Sequence, residues 1–285
     1  MKMNSELSAK YGKLVALLEE MGSVAVGYSG GVDSSLLLKV AVDVLGDKTL
    51  AMIGRSETYP TREFEEAITL AEGIGARYVV VDTEETDDLK FKENPPDRCY
   101  YCKTELFGKL QELAEREGIA WIADGTIMDD IGDFRPGMRA KSEKDVRSPL
   151  LEAGMTKNDV RALSKELGLP TWDKPSFACL SSRFPYGTGI TRENLSKVDL
   201  AETLLRDAGF RRFRVRFHDE HTARIEADAE DMARFVDPSF RESLVAKFKE
   251  LGFIYVTLDL KGYRTGSMNE VLSEGQKSHY TTAKK

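Results

Sequence analysis

The sequence predicts an α/β protein built on a doubly wound parallel sheet, followed by a second, smaller α+β domain. Three observations carry that expectation. Short apolar, β-rich runs alternate with amphipathic helical stretches through the first half of the chain. A glycine-serine loop, Tyr28-Ser29-Gly30-Gly31-Val32-Asp33-Ser34-Ser35, stands at the joint between one such run and the next helix. From Arg192 onward the order changes to helix, strand, strand, helix, strand.

A first helix is expected over 7–21, with Leu14, Leu17, Leu18 and Met21 on one side. Lys10, Lys13, Glu19 and Glu20 interrupt it, which argues against a secretory apolar segment, and no transmembrane run is found. A strand over 24–28 enters the loop, and the helix beyond it, 34–45, carries Leu36, Leu37, Val40, Ala41 and Val44 at helical spacing. Further strands are expected over 50–54, 78–82 and 119–124, separated by helices over 62–71 and 103–117. Ligands of such sheets lie beyond the carboxyl ends of the strands, so the loops at Ser29, Arg55-Ser56 and Asp124-Gly125-Thr126 should converge on one site. The segment 129–149 is rich in charge, Gly and Pro without periodicity and reads as a loop. A helix over 156–167 follows, with Thr156 as N-cap, Asp159 at N3 and Gly168 ending it. A Pro-rich linker over 170–185 leads to the second domain, with helices over 193–208 and 231–251 and strands over 210–217, 222–227 and 253–260. The polar, aperiodic 266–285 reads as a mobile tail. The expected division is 1–170 for the first domain, 171–191 for the linker, 192–265 for the second domain, then the tail.

An apolar content of 41% in 285 residues is ample for such cores. The net charge of −7 and pI near 5.3 argue against nucleic acid and anionic membranes as partners, so an anionic substrate needs a local basic site. Three cysteines without a secretory segment point to a reducing cytoplasm and no disulfide framework.

The loop turns successive backbone N–H groups toward one point and adds the positive end of a helix, so it can bind an anion without a lysine. Gly30 and Gly31 permit close backbone approach. Ser29, Ser34 and Ser35 add hydroxyl donors, and Asp33 can help hold Mg²⁺. The lysine of a P-loop NTPase and the G-x-G-x-x-G of a dinucleotide fold are both missing, which argues against γ-phosphate transfer. Taken whole, the loop resembles that of the PP-loop ATP pyrophosphatase superfamily, with its adenine nucleotide alpha hydrolase-like fold. The resemblance implies that ATP adenylates a substrate and that pyrophosphate leaves, with Ser56, Gly125 and Thr126 among the nucleotide-binding positions.

Asp97-Arg98-Cys99-Tyr100-Tyr101-Cys102-Lys103 sets two thiols at C-x-x-C spacing, and Cys179 lies within 174–187, a run that ends Arg183-Phe184-Pro185-Tyr186-Gly187. With Asp129 and Asp130, Arg135-Pro136-Gly137 and Arg147-Ser148-Pro149-Leu150, these segments resemble the LarE family of sulfur transferases over nearly the whole chain. The resemblance implies a substrate, pyridinium-3,5-biscarboxylic acid mononucleotide, one carboxylate of which is adenylated and then attacked by sulfur in nickel-pincer nucleotide cofactor biosynthesis. In single-cysteine members the residue at the position of Cys179 gives up its own sulfur. Here Cys99 and Cys102 add two thiols, and a three-cysteine set can hold a [4Fe–4S] cluster with one iron free for sulfide. A zinc site would need a fourth ligand, a redox pair would leave Cys179 unexplained, and core cysteines would explain no spacing. The cluster is the favoured expectation.

The strand 211–217 alternates, with Arg212, Arg214 and Arg216 on one face and Phe213, Val215 and Phe217 on the other. By resemblance, Arg214, Arg216 and Glu202 match positions near the substrate phosphate or a bound metal, with Arg224 and Glu226 near them in pattern, and Arg183 falls near the adenylated carboxylate. A solvated basic strand balanced by acids is an equal alternative. His218 and His221 read as a solvated turn, and Trp121 and Trp172 as packing or pocket walls. Rival readings are a PP-loop tRNA thiolase, which net acidity disfavours, and a nucleotide-binding sensor without turnover. The expected partners are a small nucleotide substrate, an unidentified sulfide donor and, by resemblance, further copies of the same chain in a homo-oligomer.

Overall fold

In the computed structural model, residues 4–132, 134–175 and 178–281 are described. Ser176 and Phe177 of the Cys179 segment, and the tail residues 282–285, lie outside them. Helix α1 (Ser5–Met21) starts where the Asn4 side chain accepts the Leu7 N–H, and it buries Leu7, Leu14, Leu18 and Met21. Strand β1 (Val24–Gly27) then feeds α2 (Val32–Leu45), β2 (Thr49–Arg55), α3 (Thr61–Ile74) and β3 (Arg77–Asp82). A short α4 (Leu89–Lys92) precedes the long α5 (Arg98–Arg116), which returns to β4 (Trp121–Ala123).

These four strands form one parallel sheet in the order β3-β2-β1-β4, with Val24 opposite both Thr49 and Trp121. Val24, Ala25 and Val26 are buried on both faces, as a central parallel strand requires. One face packs against α1, α2 and α3, together with Val160 and Leu163 of α8 (Lys157–Glu166). The other face meets α5 and α6 (Gly137–Glu143) through Phe107, Leu110 and Ala140. The chain leaves β1 toward β2 on one side and reaches β4 on the other. The crevice between β1 and β4 is thus the point where strand order reverses, and such a crevice is where α/β sheets bind ligands.

Segment 129–149, expected as a loop, is partly helical: it contains α6 and runs into α7 (Pro149–Glu152). Its polar surface hides the periodicity, since only Gly137, Ala140 and Lys141 of α6 are buried. Helix α5 begins at Arg98 and not at 103, so Cys99 and Cys102 lie in its first turns.

The second unit comprises α9 (Arg192–Asp207), β5 (Phe213–Phe217), β6 (Thr222–Ala227), α10 (Pro238–Glu250) and β7 (Tyr255–Leu258). β5 and β6 are antiparallel, and β7 joins β6 in parallel. The helix expected over 231–251 is split, a 3₁₀ turn over Ala229–Val236 giving way to α10 at Pro238, because proline suits a first helical turn and Asp237 caps it. The core is aromatic, with Phe184 stacked on Phe217 at 5.0 Å and Phe217 against Phe253, each buried ring stabilising by about 1.5–3 kcal/mol. Leu180, Phe184 and Ile190 of the linker, and Phe91 of α4, belong to this core. The tail departs from expectation. A 3₁₀ turn over Ser267–Val271 and helix α11 (Glu274–Thr281) occupy it; Ser267 is buried against Arg216 of β5 and Glu226 of β6, and Leu272 is buried as well. No described helix is long and apolar enough to cross a membrane.

Candidate functional site

The glycine-serine loop sits at the carboxyl end of β1. Gly30 has φ +61°, and a Cβ there would meet the Ala67 Cβ of α3 at 2.9 Å, so a side chain is excluded twice. The Ser29 and Ser34 hydroxyls stand 3.2 Å apart at the N-terminus of α2, which is capped by Gly31. Ser35 is fully buried, with its hydroxyl 3.2 Å from that of Tyr28, and so helps shape the loop from below. Gly125 lies against this N-terminus, since a Cβ there would sit 2.9 Å from the Ser34 nitrogen. The three loops expected to converge do so in part. Ser56 holds Thr58 at 2.8 Å, whereas Arg55 turns outward to Asp82. Thr126 donates through both its N–H and its hydroxyl to Asp124, which also accepts from Ser148 and pairs with Lys141.

Asp33 does not stand open to solvent cations. Lys157, the first residue of α8, places its Nζ 2.7 and 2.5 Å from the two carboxylate oxygens, while its backbone N–H donates to Asp129. Burial pushes the Asp33 carboxyl up, and the ammonium offsets part of that. The loop lacks a lysine of its own, and the fold delivers one from 124 residues away.

Cys99, Cys102 and Cys179 are free thiols, each half-buried. Burial pushes the Cys99 thiol up, with Arg98 opposing and Cys179 adding to the rise. Burial also pushes Cys102 well up, reinforced by Glu85 and then by Cys179 and Cys99. The three thiols therefore lie within one another's electrostatic reach, although Cys179 is far from the others in sequence. Among the described residues no group of three His, Cys, Asp or Glu side chains is arranged to hold a metal ion. Glu85, missed in the sequence, is 2% exposed; its Oε1 accepts from Thr58 at 2.8 Å and from the Cys102 sulfur at 3.8 Å.

Two expectations are corrected. Arg183 is fully buried and its donors are taken: Nε and a terminal nitrogen bind Glu202 at 2.9 and 2.7 Å, and the other terminal nitrogen binds the Ala178 and Cys179 carbonyls. It shapes the thiol loop and offers no free edge to an adenylated carboxylate. Glu202, expected as a metal ligand, has both oxygens in that pair and also accepts the Val215 N–H. Arg183 and the charge of Arg214 hold its carboxyl below the ordinary range against the upward push of burial.

The alternation of β5 is as expected, with Phe213, Val215 and Phe217 buried on one side. On the other, Arg216 is tied to Glu226 at 2.6 Å, to Ser267 and to the Ser182 carbonyl. Arg214 instead lines a cleft of about 720 Å³ between α3, residues 170–175, α9 and β5, with Glu63, Glu66, Lys174 and Arg206. Burial, then the nearby Arg183, pulls the Arg214 guanidinium down to about 10, with Glu202 and Tyr263 opposing the fall. Arg224 joins Glu226 and Asp259. His221 belongs to an exposed turn held by Asp219, as expected. Trp121 and Trp172 are partly exposed, each with a cation over its ring.

The profile of the NAD synthase family matches residues 12–100, a span that includes the glycine-serine loop. A pyridinium-3,5-bisthiocarboxylic acid mononucleotide synthase from Lactiplantibacillus plantarum is 43% identical over 271 residues, covering 95% of this chain and 97% of the relative. An uncharacterised protein of Synechocystis sp. is 44% identical over 268 residues, covering 94% of this chain and 100% of the relative. A glutamine-hydrolysing GMP synthase from Chlamydia caviae is 30% identical over 195 residues, covering 63% of this chain and 37% of the relative.

Proposed function

The chain belongs to the LarE family of ATP-dependent PP-loop sulfur transferases, and from that premise we propose that it adenylates a carboxylate of pyridinium-3,5-biscarboxylic acid mononucleotide and replaces it by a thiocarboxylate. One observation carries this reading: two adjacent residues tie the thiol loop to the phosphate loop. The Leu180 N–H, next to Cys179, donates to the Thr58 carbonyl at 2.8 Å, and the Tyr59 hydroxyl donates to the Ser29 carbonyl at 2.7 Å. Activation and sulfur delivery can therefore share one wall.

In this mechanism the N–H groups of the Ser29–Gly31 turn and the α2 N-terminus hold the β and γ phosphates of ATP, with Ser29 and Ser34 hydroxyls in support. A substrate carboxylate oxygen attacks the α-phosphorus, pyrophosphate leaves, and the acyl adenylate forms. Sulfur then attacks the acyl carbon and AMP departs with the bridging oxygen. Asp33 would hold Mg²⁺, whose chemistry is to neutralise the leaving pyrophosphate; the Lys157 ammonium now paired with that carboxylate supports the reading and would have to give way to the ion. Freed from Asp33, Lys157 can turn to the pyrophosphate itself. Arg214, at the 720 Å³ cleft, takes the mononucleotide phosphate. Arg216, tied to Glu226, supports it from the same face of β5.

Cys99, Cys102 and Cys179 would hold a [4Fe–4S] cluster, which supplies an iron open to an added sulfide. Three free thiols that act on one another electrostatically are the right donor set, and holding iron requires them to rearrange, since as they stand no three such side chains among the described residues are placed for a metal ion. The same proposal places the protein in the cytoplasm as a homo-oligomer, with the division 1–170, 171–191 and 192–265 for its ATP domain, linker and substrate domain. The test is mononucleotide-dependent, Mg²⁺-dependent conversion of ATP to AMP and pyrophosphate; release of ADP and phosphate would refute it.

A further inference from the structure

Arg98 opens α5 beside Cys99 and is 4% exposed, yet no carboxylate meets it among the described residues and its Nε has no hydrogen-bond partner. Its neighbours among the arginines are paired: Arg135 with Asp130, Arg139 with Glu143, Arg183 with Glu202. Arg98 meets only the neutral Tyr186, whose ring centroid lies 5.1 Å from its guanidinium carbon and whose hydroxyl, itself donating to Asn269, accepts a hydrogen bond from it. A ring face offsets only part of the cost of taking a guanidinium out of water. The site is short of one anion.

The location narrows the choice of anion. Arg98 and Cys102 are four residues apart on α5, and Cys99 and Cys102 three apart, so the cation and both thiols share a helical face. Of the charges acting on the Cys99 thiol, that of Arg98 is the strongest, and Tyr186 feels Arg98, Cys99 and Cys179 together. The guanidinium fork matches a carboxylate through two parallel bonds. The mononucleotide brings two ring carboxylates. One becomes a mixed anhydride with AMP and loses its charge, and the other keeps it.

We propose that Arg98 binds the ionised ring carboxylate that is not adenylated, and so turns the activated one toward the sulfurs of Cys99, Cys102 and Cys179. This rests on the substrate reading above. Arg98 is then the residue that makes the site specific for a dicarboxylate.

The test is calorimetric binding of pyridinium-3,5-biscarboxylic acid mononucleotide, and of the same mononucleotide with one carboxylate, to the full-length protein and to Arg98→Met and Arg98→Lys. ATP binding reports on the fold of each. The unaltered protein is expected to prefer the dicarboxylate by roughly tenfold to a hundredfold. Arg98→Met should remove that preference by weakening the dicarboxylate alone, and Arg98→Lys should keep part of it. Equal weakening of both mononucleotides, or an unchanged preference, overturns the assignment and leaves Arg98 as a counter-charge to the sulfur groups. If Arg98→Met also loses ATP, Arg98→Lys decides: a reduced preference supports the assignment, and a full one overturns it. Failure of the unaltered protein to bind either mononucleotide overturns the substrate reading itself.

Discussion

Replacing Arg183 by Met should remove about 3–5 kcal/mol of stability at pH 7, the usual cost of leaving one partner of a buried ion pair uncompensated. The pair is dry, with side-chain exposures of 1% and 5%, and Glu202 takes two bonds from the guanidinium at 2.9 and 2.7 Å. In the unaltered protein the Glu202 carboxyl is held low. Its stabilisation is present above the ordinary carboxyl pKa and is lost as pH falls through the depressed folded value. Without Arg183 the upward push of burial dominates. The folded value then lies above the unfolded one, so the penalty is greatest at neutral pH and fades as Glu202 protonates. Urea unfolding followed by circular dichroism should show a large gap between the two proteins at pH 7 that narrows near pH 5. The double variant Arg183→Met/Glu202→Leu should recover most of the loss, because an apolar pair of similar volume is often neutral or better. It would still free the Ala178 and Cys179 carbonyls, so thiocarboxylate formation should fall while mononucleotide-dependent pyrophosphate release persists. A single variant that loses less than about 1 kcal/mol would refute the argument, and so would a double variant as unstable as the single one. Loss of pyrophosphate release in the folded double variant would return Arg183 to the adenylated carboxylate.

Gly30→Ala should abolish ATP binding and cost about 1–3 kcal/mol, since it forces a strained φ and a 2.9 Å contact with Ala67; calorimetry with ATP would detect it, and normal affinity would refute the cradle. Lys157→Met should weaken pyrophosphate and ATP by roughly tenfold or more while sparing AMP, whereas equal loss of all three would make the lysine merely structural. Arg214→Ala should weaken the mononucleotide by about 1.5–3 kcal/mol and leave ATP unchanged. Arg216→Ala should instead show mainly as lost stability, because Glu226 is left buried without its partner; the reverse pattern in binding and unfolding would exchange their roles.

What could be read from the sequence was what is local. The strand, the loop and the helix from Val24 to Leu45 follow from period, glycine and serine within one short stretch, and the structure differs there only in ending β1 one residue earlier and starting α2 two residues earlier. The faces of β5 follow from alternation, which says which residues share a side but not what meets them. Thus Arg214 and Arg216 looked equivalent, and only the fold shows one at a cleft and the other tied to Glu226 and Ser267. The pairs Lys157–Asp33, Arg183–Glu202 and Glu85–Cys102 join distant segments, and no spacing in the sequence announces them. Helix α6 was hidden by its polar surface. The turn and helix within 267–281 leave no signal in the sequence, because the buried Ser267 and Leu272 are too few to make a pattern.

The central claim is that three thiols act as one sulfur site served by an ATP-driven activation loop. It is tested most directly by counting thiocarboxylate product per protein under anaerobic conditions with ATP, the mononucleotide and sodium sulfide, with the mass of Cys179 followed in parallel. The account predicts product well in excess of protein, an unaltered Cys179, and loss of multiple turnover together with iron in each of Cys99→Ala, Cys102→Ala and Cys179→Ala. One product per protein, with Cys179 lacking the elements of hydrogen sulfide and Cys99→Ala indistinguishable from the unaltered protein, would contradict it.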